Sequence, residues 1–93
     1  MDSFVVYILF SEIHRKTYVG FTSDLIGRIR SHNFLANKGF TKKFRPWMVI
    51  HVEFYETKQE AVKIEKFYKT GEGRRKIAEI LEKYVEGSYP PKA

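Results

Sequence analysis

The chain has 93 residues, 43% of them hydrophobic and 16% aromatic, which is enough for one packed core and too little for two. It has no cysteine, which excludes a disulfide framework or a thiolate metal site and suits a reducing compartment. Seventeen Lys and Arg against eleven Asp and Glu leave a net charge of +6, a balance that attracts polyanions, nucleic acid first among them.

Met1-Asp2-Ser3-Phe4 carries no basic segment followed by a long apolar one, so no secretory signal is expected. No apolar run approaches the ~18 residues of a membrane span. A cytoplasmic protein is the expectation.

Phe4 to Phe10 is a continuous β-branched and aromatic run, apolar on both faces, and predicts a central strand. Ser11 to Lys16 is turn-like, and Thr17 to Phe21 predicts a second strand in an antiparallel hairpin. Thr22-Ser23-Asp24 offers a helix N-cap, Leu25, Ile26 and Ile29 an apolar stripe, and the helix should fade near Asn33 or Phe34. A basic loop, Asn37 to Pro46, follows, then a third strand from Trp47 to Tyr55. Thr57-Lys58-Gln59-Glu60 is a capping box, opening a helix that runs to about Lys69 and stops at Thr70-Gly71. A last helix from Arg74 to Tyr84 has Ile77, Ile80, Leu81 and Tyr84 on one face. Residues 1–84 form the expected domain, and 85–93 a disordered tail. The order β-β-α-β-α-α predicts an α+β fold with a three-stranded, mainly antiparallel sheet flanked by helices.

Three features do not follow from packing alone. Tyr7 and Tyr18 stand on neighbouring strands, and Gly20 shares a face with Tyr18, leaving space beside a phenol for a ligand. The bland alternative is a pair of ordinary strand tyrosines. Arg28 and His32, four residues apart, border the core stripe of the first helix, where Arg can grip a phosphate and His can move a proton. They could equally be a snorkelling Arg and a rim His, with Asp24 pairing to Arg28 one turn on. Glu65 falls on the inward face of the second long helix, among Ala61, Ile64 and Tyr68. A carboxylate there is costly unless paired or bound to a metal, and a structural Glu–Arg or Glu–Tyr contact is the competing explanation.

Together these positions resemble the GIY-YIG nuclease superfamily. Its first motif corresponds to Val5-Val6-Tyr7 and its second to Tyr18-Val19-Gly20, followed by Arg28, by His32 one turn on, and by Glu60-Ala61 through Glu65 on a later helix. The resemblance covers residues 4 to about 82 and is closest to small single-domain bacterial members related to the nuclease domain of the excision-repair endonuclease. Phe44-Arg45-Pro46-Trp47 and Lys69 to Arg74 also look like that subgroup. The chain departs from the family in three places. The first motif lacks its Gly, Phe21 follows Gly20 where some relatives have a basic residue soon after, and the late Asn of larger members has no match.

The resemblance implies a metal-dependent DNA endonuclease, directed to a DNA structure or lesion in repair or recombination. It implies Mg²⁺ or Mn²⁺ held by Glu65, charge stabilisation by Arg28, and proton acceptance by Tyr18 or Tyr7 with His32 assisting. Lys38, Lys42, Lys43 and Arg45 in the basic loop, with Arg74 and Arg75, are expected to track the DNA backbone. Phe40 and Phe44 could stack on a base or tuck against the core. A domain this small has little surface for specificity, which leaves room for a homodimer or a protein partner. The competing readings are a non-catalytic nucleic-acid-binding module of the same fold and a protein-interaction domain.

Overall fold

A computed structural model describes residues 3–35 and 40–88. Strands β1 (Phe4–Ser11), β2 (Lys16–Thr22) and β3 (Met48–Tyr55) form one antiparallel sheet in the order β2-β1-β3. The run that is apolar on both faces is the central strand, and every residue from Val5 to Ser11 is buried. Helices α1 (Leu25–Arg30), α2 (Phe40–Lys43), α3 (Lys58–Tyr68) and α4 (Gly71–Ser88) complete the expected α+β architecture.

Side chains alternate across β1 and divide the interior into two clusters. Val6 and Ile8 meet Val19 of β2 and are covered by Ala61 and Tyr68 of α3 and Ile77 of α4. Tyr7 and Leu9 point the other way and pack with Trp47, supported by Tyr18, Leu25, Ile29, Phe44 and Val52. A bulge at Ile50 accommodates the shift in register between β1 and β3, with Ile8 opposite His51 but Leu9 opposite Val49.

The expected first helix is shorter and changes pitch. Asp24 caps it by accepting the Gly27 amide at 3.1 Å, so Asp24 is used on the backbone rather than on Arg28. After Arg30 the chain widens into a π-helical turn, Ser31–Leu35. The basic segment read as loop contains the one-turn helix α2, too short to leave a periodic signal.

The capping box is present in full: Thr57 Oγ1 accepts the Glu60 amide at 3.2 Å, and Glu60 Oε1 accepts the Thr57 amide at 3.3 Å. At the other end of α3, Thr70 does more than stop a helix. Its hydroxyl donates to the Phe67 carbonyl at 2.7 Å and accepts the Gly73 amide at 3.1 Å, closing α3 and opening α4 at one residue. Helix α4 therefore begins at Gly71 rather than Arg74, and it runs to Ser88 rather than Tyr84. Residues 85–88, placed in the tail from sequence, are helical, and 89–93 lie outside the described residues. Among the described residues no helix is long and apolar enough to cross a membrane.

Candidate active site

Tyr7 sits at the middle of the central strand, directly opposite Gly20 of β2. The glycine makes room, but for the neighbouring strand's side chain rather than for a ligand. A Cβ at residue 20 would overlap the Tyr7 hydroxyl and would lie 3.1 Å from the Tyr18 ring. The space expected to be open is filled by the Tyr7 phenol.

Around that phenol the expected residues gather. The Tyr7 hydroxyl and His32 Nε2 are 2.9 Å apart in a buried hydrogen bond. The Tyr18 ring lies 5.0 Å from the imidazole, edge to face, and 6.4 Å from the Tyr7 ring. Arg28, exposed on α1, sets its charge beside both phenols and interacts most strongly with that of Tyr7. Tyr7 and His32 are enclosed, whereas Tyr18 is half-buried at the mouth of the cluster.

Glu65 approaches from α3. Its side chain is 18% exposed, so it is neither sealed in the core nor free on the surface. Lys69, one turn on, lies 3.5 Å from its carboxylate. The Glu65 charge is felt at the Tyr7 phenol, which places the carboxylate within the electrostatic reach of the same cluster.

The environment sets the protonation states. Burial pushes the Tyr7 phenol above its ordinary value; Arg28 pulls it back, while the charges of Tyr18 and Glu65 add to the rise. Burial also pushes the His32 imidazole below its usual value, and the cations Arg28 and Arg45 push it further the same way. The resting cluster is a neutral phenol against a neutral imidazole, with a guanidinium beside them.

Two residues that hold the cluster were not singled out from sequence for that purpose. Asn33 clamps the Trp47 backbone twice, its Oδ1 accepting the amide at 2.6 Å and its Nδ2 donating to the carbonyl at 3.1 Å. Arg45 donates to the His32 carbonyl at 2.6 Å and to that of Ser31 at 3.3 Å, satisfying carbonyls of the π-helical turn. The structure therefore gives Arg45, expected to contact DNA, a scaffolding role beneath His32. Phe44 tucks against the Tyr7–Leu9–Trp47 cluster, and the side chain of Phe40 lies outside the described residues.

Of the other basic residues expected at DNA, Lys42 and Lys43 are exposed on α2, and Arg74 and Arg75 are exposed on α4. Lys38 lies outside the described residues.

With this geometry in view, comparison with known proteins decides the family. The model of the GIY-YIG catalytic domain matches residues 3–78. The chain belongs to the GIY-YIG family. That family consists generally of endonucleases, and the match spans β1 through the first turns of α4, including all five clustered positions. UPF0213 proteins of Staphylococcus aureus strains Mu3, Mu50 and N315 are each 36% identical over 83 residues, which is 89% of this chain and the whole of the relative. Their name states no reaction or substrate.

Proposed function

We propose that this GIY-YIG protein is a metal-dependent endonuclease that hydrolyses phosphodiester bonds in DNA, acting on a branched, flapped or damaged structure. The observation that carries this reading is the meeting of Tyr7, Tyr18, Arg28 and His32 around one hydrogen-bonded centre, within reach of the partly exposed Glu65. Packing alone requires neither that combination nor a carboxylate on the inner edge of α3.

Among the described residues no three His, Asp or Glu side chains form a metal cage. The donor set instead fits Mg²⁺ or Mn²⁺ held by one carboxylate, Glu65, with water and phosphate oxygens filling the other positions. When bound, such a cation supplies positive charge against the phosphate and its leaving oxygen.

The chain's own residues do the rest. Arg28, projecting beside the phenols, stabilises negative charge gathering on the phosphoryl oxygens. A phenolate, formed when Tyr7 or Tyr18 gives up its own proton, takes the proton from the attacking water; for Tyr7 the acceptor at hand is His32 Nε2, 2.9 Å away. Tyr7 is backed by the neutral His32 Nε2, and Tyr18 stands nearer to solvent. A neutral phenol is no base until it ionises, and at Tyr7 the charge of Arg28 acts in the direction that favours ionisation.

The test is cleavage of duplex, single-stranded, flapped and branched DNA with Mg²⁺ or Mn²⁺. Wild type should nick at least one of these, and Glu65→Gln should abolish nicking while the melting temperature persists. Arg28→Ala should cost about 100–1,000-fold in rate, the usual loss for one transition-state donor. Wild-type protein that cuts none of these substrates with either metal ends the reading. The complete enclosure of Tyr7 favours a second reading, a nucleic-acid-binding module that kept the cluster for packing. Salt-sensitive DNA binding without cleavage would establish that one.

A further inference from the structure

Beside the candidate active site, an open groove of about 570 Å³ runs between β2, the hairpin before it, and the junction of α3 with α4. Its nine lining residues include Arg15, Lys16, Lys69 and Arg74, and none is acidic. Tyr68 forms part of its floor. Among the described residues, neither Arg15 nor Arg74 has a carboxylate partner, so both charges face the solvent uncompensated. Arg15 is held at the hairpin in a left-handed conformation, φ 57°, with its guanidinium 5.8 Å from the Phe10 ring centre. The Lys16 ammonium turns away toward Phe44, 5.5 Å from that ring, which leaves Arg15, Lys69 and Arg74 as the groove's cations.

Two residues join this groove to the catalytic cluster. Tyr18 lines the groove and stands 5.0 Å from His32. Lys69 lines it and pairs with Glu65 at 3.5 Å. A ligand in the groove is thus contiguous with whatever occupies the cluster.

We propose that this groove binds the sugar–phosphate backbone of the DNA strand leading away from the scissile phosphate, with Arg15 and Arg74 as phosphate contacts and Lys69 at the entrance. The inference rests on the nuclease reading for its substrate and extends it to a strand path. The volume is that of a small-ligand site, about 300–1,000 Å³, which suits a short stretch of one strand and not a duplex. Positive lining without acids is the arrangement that tracks a nucleic-acid backbone, and guanidinium groups match phosphate geometry in pairs of hydrogen bonds. A phosphate at the entrance would also compete with Glu65 for Lys69 and release the carboxylate.

The experiment measures binding of a labelled oligodeoxythymidylate in EDTA, so that cutting plays no part, across about 50–200 mM salt. Wild type is compared with Arg15→Gln/Arg74→Gln and with Lys58→Gln/Lys63→Gln, which removes the same charge from exposed positions on α3 outside the groove. Circular dichroism melts confirm that each variant folds. The groove variant should bind about tenfold more weakly, and its log K against log salt slope should fall by roughly 1.4, for two single-strand phosphate contacts. The control should keep most of the wild-type slope. The proposal is overturned if the groove variant keeps the wild-type slope, if the control loses as much, or if wild type binds no DNA at low salt. Wild type that binds through the groove yet never cuts would leave the groove standing and remove the nuclease reading.

Discussion

The Tyr7 hydroxyl and His32 Nε2 share a buried hydrogen bond of 2.9 Å, and the environment moves the two groups in opposite directions. Burial raises the phenol and lowers the imidazole, and the charge of Arg28 lowers both. His32 should therefore titrate below its ordinary 6.5 in an NMR pH series; a midpoint at or above that value contradicts the geometry. If the proposed endonuclease uses a phenol as its base, kcat/KM in cleavage assays should keep rising with pH through the alkaline range. If Tyr7 is that base, Tyr7→Phe removes the rise and about 100-fold or more of the rate. If Tyr18 is the base, Tyr18→Phe does so and Tyr7→Phe lowers the rate with the profile unchanged.

Gly20 is a second, separable test of the cluster. Its Cβ position falls on the Tyr7 hydroxyl, and Tyr7 is fully buried, so the phenol cannot swing away into solvent. Gly20→Ala should cost about 1–3 kcal/mol by overpacking. It should also lengthen the Tyr7–His32 contact and reduce cleavage by up to about 100-fold, because misplacement of roughly 1 Å is enough for that. A melting temperature and a His32 titration that both match wild type would show that the strands have the room that the structure denies them.

The parts of this molecule legible in the sequence are those specified locally. The unbroken apolar run of β1, the two-residue alternation that puts Tyr18 and Gly20 on one face and the Thr57–Glu60 box all appear as expected. The step from Arg28 to His32 instead crosses into a π-helical turn that leaves Arg28 exposed and His32 buried. The parts that were not legible depend on partners distant in sequence or on competing local signals. Asn33 and Arg45 act across 14 and 13 residues through a segment with no periodicity, so neither announces its backbone partner. The space at Gly20 was visible, but its occupant comes from β1 and could not be read from β2. Thr70-Gly71 looked like a stop because Gly71 and Gly73 have poor helix propensity, whereas the Thr70 hydroxyl starts the next helix there.

Glu53 ties β3 to α3 on the sheet face opposite Tyr7. Its carboxylate accepts hydrogen bonds from Tyr55 at 2.5 Å, from Tyr68, and from His51 Nε2 at 2.8 Å. Burial alone would raise its pKa, but the bonds from Tyr55, Tyr68 and His51 outweigh burial and hold it below the ordinary 4.5. A depressed folded-state value means that the stabilisation is complete above the unfolded pKa and disappears as pH falls through the folded one. Stability should therefore drop below about pH 4.5 in wild type, with a smaller drop in Glu53→Gln. The tyrosines give the opposite limb, since burial and the Glu53 carboxylate raise Tyr55 to about 12 and raise Tyr68 as well. Their contribution is complete below the unfolded value near 10 and is lost as pH rises toward about 12. At neutral pH Glu53→Gln should cost about 1–3 kcal/mol, because an amide cannot accept from all three donors. Urea denaturation at several pH values measures both limbs, and equal acid sensitivity of the two proteins would rule the assignment out.

Two glycines two residues apart should respond to alanine with opposite signs. In a helix, Gly→Ala ordinarily stabilises by about 0.4–1 kcal/mol, because the unfolded chain loses freedom. At Gly71 a Cβ meets nothing within 4 Å, so Gly71→Ala should follow that rule. At Gly73 the same atom would collide with the Phe67 carbonyl oxygen and the Tyr68 Cα, which are backbone atoms at the end of α3. Backbone cannot rotate aside as a side chain can, and the Gly73 amide is also fixed by its bond to the Thr70 hydroxyl. Gly73→Ala must therefore push α4 away from the end of α3 at this close approach, at a cost of about 1–3 kcal/mol or more. Thermal melts read the difference directly: Gly73→Ala should lower Tm by at least about 4–8 °C per kcal/mol lost, while Gly71→Ala should raise it by a few degrees. Equal shifts in the two variants would mean that the α3–α4 corner is looser than its geometry states, and that Thr70, rather than close backbone contact, sets the angle between the helices.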